Sequence, residues 1–240
     1  MVMAVGITPA QLCQRYPVLY HMASFGSWPM IRKHGLLSTA ALLDLFEVPE
    51  PKYTELLTTQ RKTSITITHS RHGTAVLRDQ KPLSSKNLAR CLVDCEATEW
   101  YRLLNERVFF WLNPDRLLTL LSAAEYRAKI HTVLYVDTKQ LVDQHFGNIE
   151  LAHMNTGNTL PMPHPRGRHT FRRMDDYEYQ RRCRLPDYSA VVELTAIGGV
   201  RDIYQYVKRV EHASSQDGVY QTAEVLFERK DHPRRKFVSL

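Results

Sequence analysis

The sequence predicts a single α+β domain, and three observations carry that reading. Short runs of β-branched and aromatic residues, such as Ser64-Ile-Thr-Ile-Thr68 and Thr132-Val-Leu-Tyr-Val136, recur between segments whose apolar residues fall at helical spacing. The 240 residues hold no repeat, no low-complexity tract and nothing that marks a linker, so residues 1–240 read as one domain. Hydrophobic residues are 43% and charged residues 24%, the balance of a globular chain rather than a fibrous or disordered one.

Each element follows from local pattern. Residues 18–21 are a short apolar strand. Residues 28–35 read as a short helix, with Gly35 suited to its C-cap. Ser38 is placed to cap the next helix, residues 40–46, which Pro49 and Pro51 close off. A helix is expected over 52–59 and a half-buried strand over 64–68. Residues 84–105 read as helical from Leu88, Cys91, Leu92, Trp100 and Leu103. A strand over 108–112 precedes a helix that opens at Pro114 and runs to about residue 127. Residues 132–137 form a buried strand, and 138–145 a helix with Thr138 near its N-cap. Periodicity then vanishes over 148–187, where Asn, Thr, Gly, Pro, Arg and Tyr take over; a loop-rich stretch of that length in a compact domain is functional or disordered, and its aromatics Phe171, Tyr177 and Tyr179 together with its arginines argue against disorder. A strand over 190–195, a Gly198-Gly199 turn, an amphipathic helix over 201–210 and a strand over 220–228 complete the chain.

Charge and cysteine content narrow the partners. Lys plus Arg number 32 against 25 Asp plus Glu, a formal net charge of +7, which attracts polyanions. Arg166, Arg168, Arg172, Arg173, Arg181, Arg182 and Arg184 crowd one stretch, and Arg229, Lys230, Arg234, Arg235 and Lys236 the tail. Nucleic acid is a candidate partner, beside the plainer reading of a solvated basic face, which charge alone favours. No apolar run of about 18 residues exists, so no membrane partner is expected. The N-terminus lacks the pattern of a secretory signal, and the 4 cysteines are too scattered for a disulfide framework; the chain reads as reduced and cytoplasmic. Cys91 and Cys95 have no second ligand pair at zinc spacing, so no metal is expected.

The sequence lacks a glycine-rich phosphate loop, a nucleophile elbow, a zinc-protease motif and the kinase signature set. What remains is polar residues at strand ends. His21 follows an apolar strand, Arg61 lies between a helix and a strand, and Phe109, Phe110 and Trp111 fill an aromatic strand. Glu193 interrupts the strand Ala190-Val-Val-Glu-Leu-Thr195. Burying an unpaired carboxylate there is costly, whereas strand alternation also allows it to face outward with Val191 and Thr195.

In order along the chain, these residues resemble the ADP-ribosyltransferase superfamily, most nearly the DarT-like DNA ADP-ribosyltransferases and their uncharacterised relatives. The resemblance runs from Leu19 to about Val210. It rests on Leu19-Tyr20-His21-Met22, on Trp28 through Gly35-Leu36-Leu37-Ser38, on Arg61, on Arg107 through Pro114, on Thr132 through Asp137, and on Glu193 with Val200 seven residues later. It implies a single-domain ADP-ribosyltransferase-like fold of split, mixed β-sheets with flanking helices. It further implies NAD as substrate, held by His21, Met22, Gly35, Leu36 and Phe110 or Trp111 in one cleft with Glu193. Glu193 and Arg61 become the catalytic residues, and Glu224 the fallback carboxylate. The segment before Glu193 becomes the acceptor-recognition loop, with Arg166, Arg168, Arg172 and Arg173 contacting a single-stranded or looped nucleic acid. The expected activity is mono-ADP-ribosylation of a nucleic-acid base by a toxin or defence enzyme with an inhibitor or antitoxin partner. The alternatives are an NAD glycohydrolase and a non-catalytic nucleic-acid-binding module.

Overall fold

The structure, a computed structural model, describes residues 6–183 and 190–230. Arg184, Arg234, Arg235 and Lys236 of the basic clusters, and Asp187 at the end of the loop-rich segment, lie outside the described residues. In chain order the elements are α1 (Pro9–Arg15), β1 (Val18–Ser24), α2 (Trp28–His34), β2 (Leu36–Leu37), α3 (Thr39–Leu45), α4 (Lys52–Thr58), β3 (Ile65–His69), β4 (Gly73–Leu77), α5 (Ser85–Cys91), α6 (Ala97–Asn105) and β5 (Arg107–Trp111). Then come α7 (Pro114–Ser122), β6 (His131–Asp137), α8 (Thr138–His145), β7 (Ile149–Ala152), β8 (Arg172–Arg173), α9 (Tyr179–Arg182), β9 (Glu193–Ile197), β10 (Gly199–Val200), β11 (Val207–Gln216) and β12 (Val219–Glu228).

The domain is α+β. One eight-stranded sheet has the order β12-β11-β6-β1-β5-β9-β7-β8, with two-stranded pairs β10-β2 and β3-β4 beside it. Every pairing between these strands is antiparallel, which corrects the expected mixed sheet. The reason is topological. Strands β5 and β6 run the same way through the α7 crossover, but β1 lies between them and points the opposite way, so parallel strands never touch.

The sheet is nearly divided in two. β1 pairs with β6 from Val18↔Asp137 through Ser24↔His131, and β5 with β9 from Arg107↔Ile197 through Trp111↔Glu193. β1 and β5 meet only at Tyr20↔Trp111. Beyond that pair the strands part and leave a slot bordered by Met22 to Phe25 on one side and Val108 and Phe109 on the other.

Both faces of the sheet are covered. Leu19, Phe110, Leu134, Leu194 and Val210 pack with Leu12 of α1, Trp28 and Ile31 of α2, and Leu141 and Val142 of α8. On the opposite face Tyr20, Met22 and Val133 pack with Leu117 and Leu121 of α7, while Phe109 and Ala152 pack with Leu88 of α5 and Trp100 and Leu104 of α6. Caps set the helix starts: Ser38 Oγ accepts from Ala41 N at 3.2 Å, and Asn113 Oδ1 accepts from Asp115 N at 2.8 Å ahead of Pro114.

Several elements differ from their sequence expectation. The helix expected over 84–105 is two helices, because the chain leaves α5 at Leu92 to pair with Arg166, and Val93 N donates to Arg166 O at 3.1 Å. The helix expected over 201–210 is a 3-10 turn, Ile203–Gln205, running into strand β11. Val207 and Val210 share a buried face at helix-like spacing because the β6 register shifts between Val207 and Arg209. That bulge adds one residue and keeps both valines on the same side. Within the loop-rich segment β7 pairs with β9 and β8, and Phe171, Tyr177 and Tyr179 are buried. Those aromatics anchor the segment to the core instead of facing a ligand.

Candidate active site

The slot opens into a cavity of about 880 Å³. That lies toward the upper end of the range for ligand sites, ~300–1,000 Å³. His21, Met22, Gly35, Leu36, Arg61, Trp111 and Glu193 all border it, from five separate segments of the chain. Phe110 does not. Strand alternation turns Phe110 into the core, fully buried, with its ring 5.8 Å from that of His21, so it backs the histidine from below.

The pleat of β1 puts His21 on the face of Leu134, whereas Glu193 pairs with Trp111 across from Tyr20. By alternation alone the two side chains belong to opposite faces. They border one cavity because it occupies the gap between parted strands rather than either face. His21 turns into that gap, and its Nδ1 lies 2.8 Å from Phe109 O. A carbonyl only accepts, so Nδ1 carries the proton. The slot desolvates the imidazolium and the Arg78 charge repels it; against the Phe109 hydrogen bond these hold the pKa at about 4. At neutral pH the ring is therefore uncharged, and Nε2 is an acceptor for a ligand hydroxyl.

Glu193 is buried, 3% exposed, on the first residue of β9. Thr156 N donates to Oε1 at 3.3 Å and Oε2 at 3.2 Å, and Thr156 Oγ1 donates to Oε2 at 2.7 Å. Burial raises the carboxyl pKa to about 7, with the Thr156 bonds and the charges of Arg116 and Arg166 partly offsetting that rise. A carboxyl poised near neutrality in a cavity has the acidity that proton transfer needs. Glu224 is on the exposed edge strand β12, 3.2 Å from His212 Nδ1 and away from this cavity.

Arg61 is 6% exposed and its guanidinium is committed to the scaffold. Nε donates to Arg78 O at 3.0 Å, Nη1 to Leu56 O at 2.9 Å and Nη2 to Asn105 Oδ1 at 2.8 Å. Desolvation lowers its pKa to about 10, which leaves it charged. It ties the ends of α4, β4 and α6 together beneath the cavity.

Arg78, at the end of β4, is a residue the sequence reading did not single out. Its Nη1 donates to Met22 O at 2.7 Å, and its guanidinium lies 4.9 Å from the Tyr126 ring centroid. It brings a cation to the cavity wall beside His21. The signal that could have found it is the short alternating run after Gly73, the second strand of the β3-β4 hairpin.

The basic segment divides. Arg166 is 2% exposed and faces inward: Nη1 donates to Thr156 O at 3.0 Å and Nε to His164 O at 3.1 Å. Arg168 is exposed but forms a fork onto Glu99, with Nη2 to Oε2 at 2.6 Å. Arg172 and Arg173 are exposed on the edge strand β8, where Arg173 Nη1 also donates to Gly147 O at 2.7 Å. Among the described residues no group of acidic, cysteine and histidine side chains could hold a metal, and no helix is long and apolar enough to cross a membrane.

A family model matches residues 17–207. The chain belongs to DUF7002, a family of unknown function. The DUF7002 match opens at the foot of β1 and closes at the start of β11, so it contains His21, Arg61, Arg78, Thr156 and Glu193. No curated protein and no solved structure matches the chain.

Proposed function

We propose that this DUF7002 chain is an NAD-dependent ADP-ribosyltransferase whose acceptor is a nucleic-acid base. One observation carries the reading: a nearly divided sheet opens a cavity that holds an acceptor-type neutral histidine and a buried carboxyl of pKa about 7. The chemistry fits those groups. When the bond between nicotinamide and its ribose breaks, the electron pair leaves with nicotinamide and positive charge develops at the sugar carbon. A fixed carboxylate at Glu193 stabilises that charge and takes the proton from the attacking acceptor. His21 Nε2 accepts from a ribose hydroxyl, Arg78 faces the pyrophosphate, and Trp111 presents an indole to the nicotinamide. The exposed pair Arg172 and Arg173 supplies forked donors for the phosphates of a single-stranded or looped acceptor. An activity of this kind damages its host, so the proposal includes an inhibitor protein as partner.

Hydrolysis, with water as the acceptor, is the second reading. It is favoured by the inward commitment of Arg166 and by the pairing of Arg168 with Glu99, which remove two arginines from the recognition surface. Incubation with NAD labelled in its adenylate, beside separate DNA, RNA and protein pools, decides between them. Label on DNA or RNA supports base modification, and free labelled ADP-ribose alone supports hydrolysis. Label only on protein refutes the nucleic-acid acceptor.

A further inference from the structure

The segment between β7 and β8 has no apolar periodicity, yet three of its polar residues are among the most buried in the chain. Thr156 and Thr159 are 0% exposed and Arg166 is 2% exposed. Thr159 pins the segment to the start of α5: its Oγ1 accepts from Ser84 N at 2.8 Å and its carbonyl from Asn87 Nδ2 at 3.1 Å. Arg166 pins the other end, because its backbone N donates to Cys91 O at 2.8 Å and its guanidinium lies 5.8 Å from the Trp100 ring centroid. From that fixed point Nη1 reaches Thr156 O at 3.0 Å. Burying an arginine without a carboxylate in direct contact is costly. Here the guanidinium is spent on two carbonyls of its own loop, His164 O and Thr156 O.

We infer that Thr156 and Arg166 are positioning residues that fix Glu193 through Oε2 and leave Oε1 as its working oxygen. The asymmetry of the hydrogen bonds carries this. Oε2 receives the Thr156 hydroxyl at 2.7 Å and the amide at 3.2 Å, whereas Oε1 receives only the longer amide contact at 3.3 Å. The hydroxyl bond, at 2.7 Å, is the short one, as expected for a donor to a charged carboxylate. Arg166 holds the Thr156 carbonyl, in the peptide unit after the one that donates to Glu193, and so restrains Thr156 on the side away from the carboxylate. The Arg166 charge also favours the ionised carboxylate, as does Arg116 from α7. Residues 155–158 border the cavity as well, so the segment that fixes the carboxylate also walls the site. The role of Oε1 rests on the proposed reaction; the anchoring of Oε2 does not.

The test separates the two. Protein carrying ¹³C at glutamate side-chain carboxyls is titrated by NMR, and the Glu193 signal is assigned by its absence in Glu193→Gln. Removing a donor to the charged form raises the titration midpoint, so Thr156→Val moves it up by about one pH unit, the worth of a hydrogen bond to a charged group. Thr156→Ser keeps the hydroxyl and returns the midpoint to the wild-type value. Arg166→Met raises it and Arg166→Lys raises it less. If the wild type consumes NAD, the acid limb of its pH–rate profile moves with these midpoints. An unchanged midpoint in Thr156→Val, or a rise in Thr156→Ser that equals that of Thr156→Val, overturns the inference. Absence of NAD turnover by the wild type refutes the functional reading and leaves the titration result standing.

Discussion

Replacing Glu193 by Gln is expected to stabilise the fold at alkaline pH while abolishing turnover. The carboxyl has an ordinary pKa of 4.5 and is raised to about 7 in the folded chain, chiefly by desolvation. Between those values the folded state holds a proton that the unfolded state has released. Stability contributed by this group is therefore fully present below about 4.5, falls as pH rises through the window, and stays low above about 7. At 1.36 kcal/mol per pH unit the gap costs about 3 kcal/mol at pH 8. Glutamine carries no charge, keeps the shape, and retains an amide oxygen for the Thr156 N–H. At pH 8 it should therefore recover most of that energy, roughly 2–3 kcal/mol allowing for the altered contact with the Thr156 hydroxyl. For a chain of this size each kcal/mol moves the melting temperature by about 2–4 °C. The assay is urea or thermal unfolding of both proteins from pH 4.5 to 8.5. The stability difference should be near zero at the acid end and grow to its full value by pH 8. A variant less stable than wild type at every pH, with a constant offset, refutes the raised pKa and with it the poised carboxylate. Strain of this kind at a reacting group is the usual trade of stability for activity.

Three further outcomes follow from the same geometry. His21→Ala should raise the KM for NAD by about tenfold, the worth of one ligand hydrogen bond, with kcat changed much less. Because the ring titrates at about 4, the loss of NAD affinity caused by His21→Ala should be the same at every pH from 5.5 to 8, whatever the ionisation of Glu193 adds to both proteins. Arg61→Met strands Arg78 O, while Leu56 O keeps Asn105 Nδ2 at 3.3 Å and Asn105 Oδ1 keeps Gln80 Nε2 at 3.4 Å, and should cost about 1–3 kcal/mol in urea unfolding for the orphaned carbonyl; a folded, equally stable variant that has lost only kcat would make Arg61 catalytic instead. Replacing Arg172 and Arg173 together by Gln should lower the log–log salt slope of nucleic-acid binding by about 2, while Arg168→Gln leaves it unchanged because that side chain already pairs with Glu99.

The parts of this fold legible in the sequence are those whose pattern is local. Ser38 and Pro114 announced their helices because capping chemistry is confined to one turn. The strands at β1, β5, β6 and β9 were readable from dense apolar and β-branched runs. Helix α1 carries an equally local signal, the capping box of Thr8 with Gln11 and Pro9 at the first helical position between them. β11 was hidden for a different reason. A bulge gave Val207 and Val210 helical spacing, and its buried polar residues Glu211, His212 and Ser215 broke the apolar alternation. Glu211 can be buried because Tyr135 and Tyr220 donate to Oε1 at 2.6 Å each and Arg209 Nη2 lies 2.6 Å from Oε2, partners drawn from three strands. At the site, the residue types of His21 and Glu193 stood out as polar groups on apolar strands. What no pattern could give was the parting of β1 from β5, since it depends on one cross-strand pair between residues 91 positions apart. For the same reason Thr156 and Arg166 are invisible as a pair: the carboxylate that Thr156 binds and whose charge Arg166 feels, Glu193, lies 37 and 27 positions further on in β9.

The central claim is that the cavity cleaves NAD through Glu193, and release of nicotinamide tests it most directly. Purified wild-type chain and Glu193→Gln are incubated with NAD, with and without single-stranded DNA and RNA, and nicotinamide is quantified by chromatography. The account predicts release by the wild type and a loss of about 10²–10³-fold or more in the variant, which the unfolding curves show to be folded. Release at similar rates by both proteins, or by neither under any condition, contradicts it.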